Sequence, residues 1–241
     1  MTPKFLRPFL TACALAAGAL ATTAAAADDT TERTAPFTAA ERETVYTASI
    51  EKRAGDILKV LALADATKVT RVHDAIIAQY RSLRARDEAI DGMLQALSKN
   101  SPGIESNRPA ILHVVSQQLH QQFLTRLAAD LTPEQLEKVK DKMTYNKVKV
   151  TYDAYCEIVP NLTDAEKAKI LETLQAAREE AMDGGSADEK TAIFQKHKDQ
   201  INALLNANGH DVAKATKEWE AKHPAAPEAA NAGNPPKPGS N

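Results

Sequence analysis

The strongest constraint on the fold is a helix-start signal that occurs twice, at Thr132 and at Thr163, each preceded by leucine. In each copy the threonine can cap a helix, and Gln135 or Glu166 stands three residues further on to complete a capping box. Apolar residues at helical spacing follow both signals. Each copy therefore predicts the start of an amphipathic helix.

Similar starts recur along the rest of the chain. They are predicted at Thr38, Asp65, Pro109, Ser186 and Asp211. Apolar residues recur every three or four positions after each start, and no alternating strand-like run is longer than Val148 to Tyr152. We therefore predict an all-α, single-domain helical bundle of about six to eight helices, with one irregular break near 144–152.

The N-terminal segment is typical of a secretory signal. Lys4 and Arg7 precede an apolar run from Phe9 to Leu20, and an alanine-rich stretch then reaches Ala27. We expect a signal peptide over 1–27, export to the periplasm or the medium, and no membrane span. A linker is expected over 28–37 and the helical domain over 38–223. The proline-rich segment 224–241 is expected to be disordered.

Charge and cysteine content exclude several classes of protein. The chain has 30 Lys and Arg against 32 Asp and Glu, and removing Lys4 and Arg7 leaves 28 against 32, so the formal net charge changes from -2 to -4. Without a basic excess we expect no binding to nucleic acid. Removal of Cys13 leaves Cys156 alone, so no intrachain disulfide is expected.

The irregular segment after Met143 holds the first set of candidate ligand-binding residues. These are Tyr145, Asn146, Lys147, Tyr152 and Tyr155. A tyrosine ring can cover the C–H face of a sugar, while hydroxyl, amide and ammonium groups can bond sugar hydroxyls. The alternative is that these rings close the bundle where a helix is interrupted.

Two helical segments supply further candidates, which are Arg178, Glu179 and Asp183 on one and Tyr80 and Arg81 on the other. An arginine can bind a uronic acid or a diol, or it can pair with an acid on a neighbouring helix. Tyr80 lies on the apolar stripe of its helix, which favours packing. Both interpretations remain open for the other four.

The chain carries no recognisable catalytic motif. His113, Gln117 and His120 share a helix face, but no acid or cysteine follows on that face, which favours polar surface over a metal site. We expect no metal and no cofactor, and we assign no catalytic residue. Paired carboxylates acting on a polysaccharide remain an alternative.

Two resemblances bear on function. The repeated Leu-Thr start, over Leu131 to Leu205, resembles the periplasmic Spy/CpxP-like proteins, which are chaperones and stress sensors. A second set of motifs extends over almost the whole domain: Tyr46–Arg53, Gln79–Arg81, Lys138–Tyr145, Val150–Tyr155, Ala177–Asp183 and Lys217–Trp219. These resemble an uncharacterised secreted bacterial family, catalogued as a domain of unknown function and described as sugar-binding.

The residues and the second resemblance together lead to one main expectation. We expect an exported, non-catalytic binding protein for a carbohydrate ligand. The first resemblance implies an alternative, a periplasmic chaperone or envelope-stress protein that binds unfolded client proteins. A polysaccharide hydrolase or lyase is the third interpretation.

Overall fold

The computed structural model describes residues 38–223, and all regular elements in this range are helices. The α-helices are α1 (Ala39–Leu61), α2 (Ala66–Ser98), α3 (Arg108–Ala128), α4 (Pro133–Met143), α5 (Lys147–Ile158), α6 (Asp164–Met182), α7 (Ala187–Ala207) and α8 (Val212–Lys222). A single 3-10 turn over Ile104–Asn107 precedes α3. The all-α, single-domain prediction is confirmed. The predicted signal peptide, linker and tail lie outside the described residues.

Local capping starts the helices where the sequence predicts. Thr132 Oγ1 accepts from the backbone N–H of Gln135 at 3.3 Å, and the Gln135 side chain accepts in return from the Thr132 N–H at 3.0 Å. Equivalent capping boxes open α1 at Thr38 and α6 at Thr163. Each box satisfies backbone donors that the first helical turn leaves unpaired. None of the helices within 38–223 has the length and apolar character needed to cross a bilayer.

The apolar core consists of two clusters. The first lies between α1, α2, α4 and the C-terminal half of α3, and includes Ile57, Ile76 and Leu127. The second lies between α5, α6, α7 and α8, and includes Ile170, Leu174 and Leu205. Helix α6 joins the two, because its Ala177 belongs to the second cluster and its Met182 to the first.

The predicted irregular break at 144–152 is much shorter in the structure. Only 144–146 interrupt the helices, with Tyr145 and Asn146 both left-handed at φ 59° and φ 54°, and α5 begins at Lys147. The alternation of lysine and valine over 147–150 has the period of a strand. Val148 and Tyr155, however, are about two helical turns apart. They therefore lie on the same face of α5, and both pack in the second cluster. Tertiary packing therefore outweighs the low helix propensity of this stretch.

Candidate functional site

A polar cavity lies between α3 and the α6–α7 pair, and we call it the central cleft. Its volume is about 660 Å³. It is lined by Arg86 from α2, by Arg108, Pro109, Leu112, His113, Ser116, Gln117, His120 and Gln121 from α3, and by Glu179, Glu180, Asp183, Gly184, Glu189, Ala192 and Ile193 from the α6–α7 hairpin. It therefore lies where the two halves of the fold meet.

The α3 wall presents polar side chains. His113, Gln117, His120 and Gln121 recur at intervals that place them on one side of the helix. His113, Gln117 and Gln121 are exposed, and the one contact among these three is a long one of 3.4 Å between Gln117 Nε2 and His113 Nε2. Pro109, Leu112 and Ile193 add an apolar floor to the cleft. The wall thus offers donors and acceptors beside an apolar surface.

The α6 wall is acidic, and a histidine from α3 bridges two of its carboxylates. His120 Nδ1 lies 3.0 Å from Asp183 Oδ1, and its Nε2 lies 3.6 Å from Glu179 Oε2. The hydrogen bond with Asp183, followed by that with Glu179, raises the pKa of His120 to about 9. The imidazole is therefore a cation at neutral pH and fixes α3 against α6.

The remaining partners of the α6 carboxylates come from α4 and α7. Burial tends to raise the pKa of Glu179, but hydrogen bonds from His120 and Lys140 outweigh burial and lower it to about 2. Burial also tends to raise the pKa of Glu180, but hydrogen bonds with His197 and Lys196 outweigh this effect and lower the pKa. Both carboxylates are ionised at neutral pH and already hold cationic partners.

A close approach of α2 to the α6–α7 turn sets the end of the cleft. The buried Arg86 donates to Asp87 at 2.6 Å and 2.9 Å and to Ser116 of α3 at 2.5 Å. A Cβ on Gly185 would lie 1.7 Å from Asp87 Oδ2, so only glycine fits against this carboxylate. Asp87 therefore touches the backbone of the turn, and Glu189 Oε2 accepts from the Gly185 N–H at 2.8 Å.

Both arginines that line the cleft are already paired. Arg86 holds Asp87, while Arg108 donates to Asp91 and to Glu189, each at 2.6 Å. A guanidinium that already binds carboxylates has few donors left for a ligand. The cleft consequently lacks an unpaired guanidinium for an anionic group.

The predicted Arg178, Glu179 and Asp183 cluster divides between two sides of α6. Glu179 and Asp183 line the central cleft. Arg178 is buried on the other side, where it pairs with Glu137 and Asp141 of α4, the latter at 2.6 Å. Arg178 therefore takes the structural role among its two predicted alternatives, because its guanidinium is occupied by protein carboxylates.

The tyrosine-rich segment does not form one surface. Tyr145 is 43% exposed in the left-handed turn, with Asn146 beside it. Tyr152 is half-buried against the second cluster. Tyr155 is buried, and its hydroxyl lies 2.7 Å from Asn202 Oδ1 and 3.2 Å from the Lys198 carbonyl oxygen. The structure does not bring these three rings together.

The remaining candidates contact neighbouring helices. Lys147 donates to Thr191 at 2.9 Å, and burial lowers its pKa. Tyr80 is buried in the first cluster, which raises its pKa to about 12. Arg81 donates to Glu43 at 2.9 Å on the surface. None of these three lines the central cleft.

Sequence reasoning placed His113, Gln117 and His120 on one face and named Glu179 and Asp183 as candidates, but it missed that these two acids meet His120. These acids come from α6, and Asp183 is 63 residues from His120 along the chain. No signal local to α3 specifies that pairing. Within 38–223, no group of three or more His, Cys, Asp or Glu side chains is arranged to hold a metal ion.

The fold and the cleft define an all-helical single domain with a polar ligand-sized cavity and no recognisable catalytic motif. Residues 47–225 match the family described as "Protein of unknown function (DUF3826)". The chain belongs to this family. A comparison with curated proteins finds no match.

Proposed function

We propose that the protein is an exported, non-catalytic carbohydrate-binding protein, and that the central cleft is its binding site. The observation that carries the proposal is the pairing of exposed amides on α3 with an apolar floor in one cavity of about 660 Å³. This volume lies within the range of roughly 300–1,000 Å³ that is typical of small-molecule sites. The proposed site is therefore the central cleft between α3 and α6, in place of the tyrosine-rich segment that the sequence predicted.

The chemistry of the cleft suits a sugar. A pyranose ring has an apolar C–H face and a rim of hydroxyls, each of which donates and accepts. The amides of Gln117 and Gln121 can do both, and the apolar floor of Pro109, Leu112 and Ile193 can contact the ring face. The carboxylates of the α6 wall can accept further hydroxyl protons.

The charges of the cleft favour a neutral or basic sugar over an acidic one. Glu179, Glu180 and Asp183 form one wall, while Arg86 and Arg108 are each already paired with carboxylates. A uronic acid would bring a further anion beside these acids without an unpaired arginine to receive it. We therefore expect neutral oligosaccharides to bind more tightly than their uronate counterparts.

The hydrolase alternative gains no support from the two α6 glutamates. A glycosidase needs one carboxyl that stays protonated near neutral pH, which requires a raised pKa. The pKa values of Glu179 and Glu180 are both lowered, so both are ionised instead. Binding without bond cleavage is the simpler use of these carboxylates.

Calorimetric titration with neutral trisaccharides, against a galacturonate trimer, tests the proposal. The decisive variant is Q117A/Q121A, whose two side chains line the cleft and are exposed. The matched control is Q118A/Q122A, which removes the same exposed amides from the same helix outside the cleft. We expect the first variant to lose about tenfold in affinity and the second to be unchanged, since two lost hydrogen bonds at about 0.7 kcal/mol each cost about 1.4 kcal/mol. Equal behaviour of the two variants would contradict the proposed site.

One observation favours the chaperone alternative as a second candidate. Met93, Leu97, Val114 and Val115 are large apolar side chains that remain exposed on α2 and α3. Exposed apolar surface of this kind can hold an unfolded chain. This candidate predicts that equimolar protein suppresses aggregation of a denatured client, and that M93S/L97S weakens the effect. Undiminished aggregation in the presence of the unaltered protein would eliminate it.

A further inference from the structure

A second groove lies at the opposite end of the α5–α8 half from α3, and we call it the Trp219 groove. It has a volume of about 580 Å³ and forms where the α5–α6 loop, the α7–α8 turn and α8 meet. Among its lining residues are Glu157, Asn161, Lys214, Trp219 and His223. It shares no lining residue with the central cleft.

The groove contains the one tryptophan of the sequence. Trp219 is half-buried on α8, and its ring stacks on the imidazole of His223, with centroids 4.5 Å apart and planes inclined by 21°. The indole N–H is buried and has no acceptor among residues 38–223. The groove therefore contains a flat aromatic ring, whose buried indole N–H is left without an acceptor by those residues.

The polar groups around this ring are loosely paired. His223 Nε2 lies 4.0 Å from Glu157 Oε1, and Lys214 Nζ lies 3.9 Å from Glu218 Oε1, all on exposed side chains. Exposed pairs at such distances contribute little to stability and exchange readily with water. They can turn to a ligand at small cost, in contrast to the tightly held ion pairs of the central cleft.

The position of His223 indicates how the tryptophan face is protected. The imidazole is exposed, follows the last residue of α8, and is held by the stack and by a 2.9 Å contact between its Nδ1 and the Trp219 carbonyl oxygen. A parallel ring at this separation covers an aromatic face much as the C–H face of a pyranose does. His223 thus occupies the surface that a stacked sugar would take.

We propose that the Trp219 groove is a second carbohydrate site, in which a neutral sugar ring displaces His223 and stacks on Trp219. The proposal shares its ligand class with the proposed function but depends on different residues. A β-linked glucose chain is the appropriate probe, because its equatorial substituents leave a flat C–H face on each ring. Two separate sites on one chain would let the protein bind a polymer at two points and gain avidity.

The fluorescence of Trp219 tests this proposal directly, because no other tryptophan contributes to the emission. Cellotriose titrated to about 10 mM, enough to detect a millimolar dissociation constant, should change the emission saturably. His223→Ala should lower the half-saturating concentration about 2- to 10-fold, since the competing stack is removed. His73→Ala, which removes a histidine of α2 that lines neither cavity, is the matched control and should leave the titration unchanged.

The outcomes separate the two sites. A saturable emission change that survives in Q117A/Q121A supports an independent Trp219 site. An emission that stays constant over the titration overturns the second site, while calorimetric heats lost in Q117A/Q121A would still support the first. An emission change that Q117A/Q121A abolishes would show one site in place of two and would also overturn the proposal. Equal half-saturation in H223A and the unaltered protein would overturn the displacement of His223.

Discussion

The two walls of the central cleft both carry polar side chains but use them differently. On α6, Glu179 and Asp183 hold His120, and Glu180 holds His197 at 2.9 Å. On α3, Gln117 makes one long contact within its own helix, and the Gln121 side chain has no hydrogen bond to any residue of 38–223. The α6 carboxylates are paired, whereas Gln117 and Gln121 leave part of the α3 wall open.

This difference separates positioning from recognition. A paired, partly buried charge holds helices at a fixed distance but has little bonding capacity left for a ligand. An exposed amide gives up only water when a ligand arrives. Substitutions behind and along the α6 wall should therefore cost stability, and substitutions on the open α3 face should cost binding.

The largest loss of stability is expected at Arg178, which supports the α6 wall from behind. Its side chain is 7% exposed and pairs with Glu137, Asp141 and Glu179. Arg178→Ala should lower the free energy of unfolding by about 2–3 kcal/mol in urea denaturation, somewhat less than a fully buried pair because its partners can regain water. Arg178→Met keeps the apolar part of the side chain, so comparing it with Arg178→Ala separates the loss of the charge from the loss of packing. A loss below about 0.5 kcal/mol, which is the range of ordinary surface changes, would show that Arg178 does not stabilise the fold.

A slightly smaller loss is expected at the turn that ends the α6 wall. The added methyl of Gly185→Ala would overlap Asp87, whose position is fixed by two hydrogen bonds from the buried Arg86. Moving this carboxylate disturbs the pair, so we expect a cost of about 2 kcal/mol. Gly55→Ala is the matched control, because a Cβ there meets nothing within 4 Å. Thermal unfolding of both variants measures the contrast, and equal midpoints would argue against the close approach.

The contribution of His120, which bridges the two walls, to the free energy of unfolding should depend on pH. His120 has a pKa of about 9 in the folded protein and about 6.5 as its ordinary value. A raised pKa stabilises the fold fully below about pH 6.5, and this stabilisation is lost as the pH rises through about 9. His120→Gln should therefore cost about 1.5 kcal/mol near pH 6 and almost nothing near pH 10.

The pH experiment depends on the difference between the two proteins at each pH. Lys190 is buried, which lowers its pKa to about 8, and it donates to the Ala181 carbonyl at 2.7 Å. Its titration changes stability in the opposite sense between about pH 8 and 10. Because both proteins contain Lys190, its contribution cancels in the difference. A difference that does not change with pH would show that His120 is not the charged bridge.

The tyrosines allow the same comparison on a smaller scale. Tyr155 is buried with its hydroxyl 2.7 Å from Asn202 Oδ1, whereas Tyr145 is 43% exposed. Tyr155→Phe should cost about 1 kcal/mol through the lost hydrogen bond, and Tyr145→Phe less than about 0.5 kcal/mol. Urea denaturation of the pair measures this ranking, which a reversed order would contradict.

These contrasts show which parts of the molecule were predictable from sequence. Capping boxes at Thr132 and Thr163 and apolar spacing are local, so helix starts and the all-α class followed from the residues alone. The start of α5 did not, because its valine and lysine alternation mimics a strand and packing against α6 decides its conformation. Helix existence is a local property, and a marginal helix is settled by its neighbours.

The site was predictable only in pieces. The shared face of His113 and Gln117 could be read from spacing, and Glu179 was among the candidates. Successive helical residues point about 100° apart, so adjacent Arg178 and Glu179 divide between α4 and the cleft. Which face meets α3 depends on tertiary packing across 63 residues of chain, as the contact of His120 with Asp183 shows.

The smallest expected effect on stability is also the one that most sharply separates the walls. Q117A/Q121A should change the free energy of unfolding by less than about 0.5 kcal/mol, because both side chains are exposed and alanine is a slightly better helix former than glutamine. The same variant should lose about tenfold in affinity for a neutral trisaccharide. Unfolding and calorimetric titration of one preparation give both quantities. If the variant lost both stability and binding, the role of Gln117 and Gln121 would be structural. Loss of binding with stability retained would show that these two side chains of α3 contact the ligand.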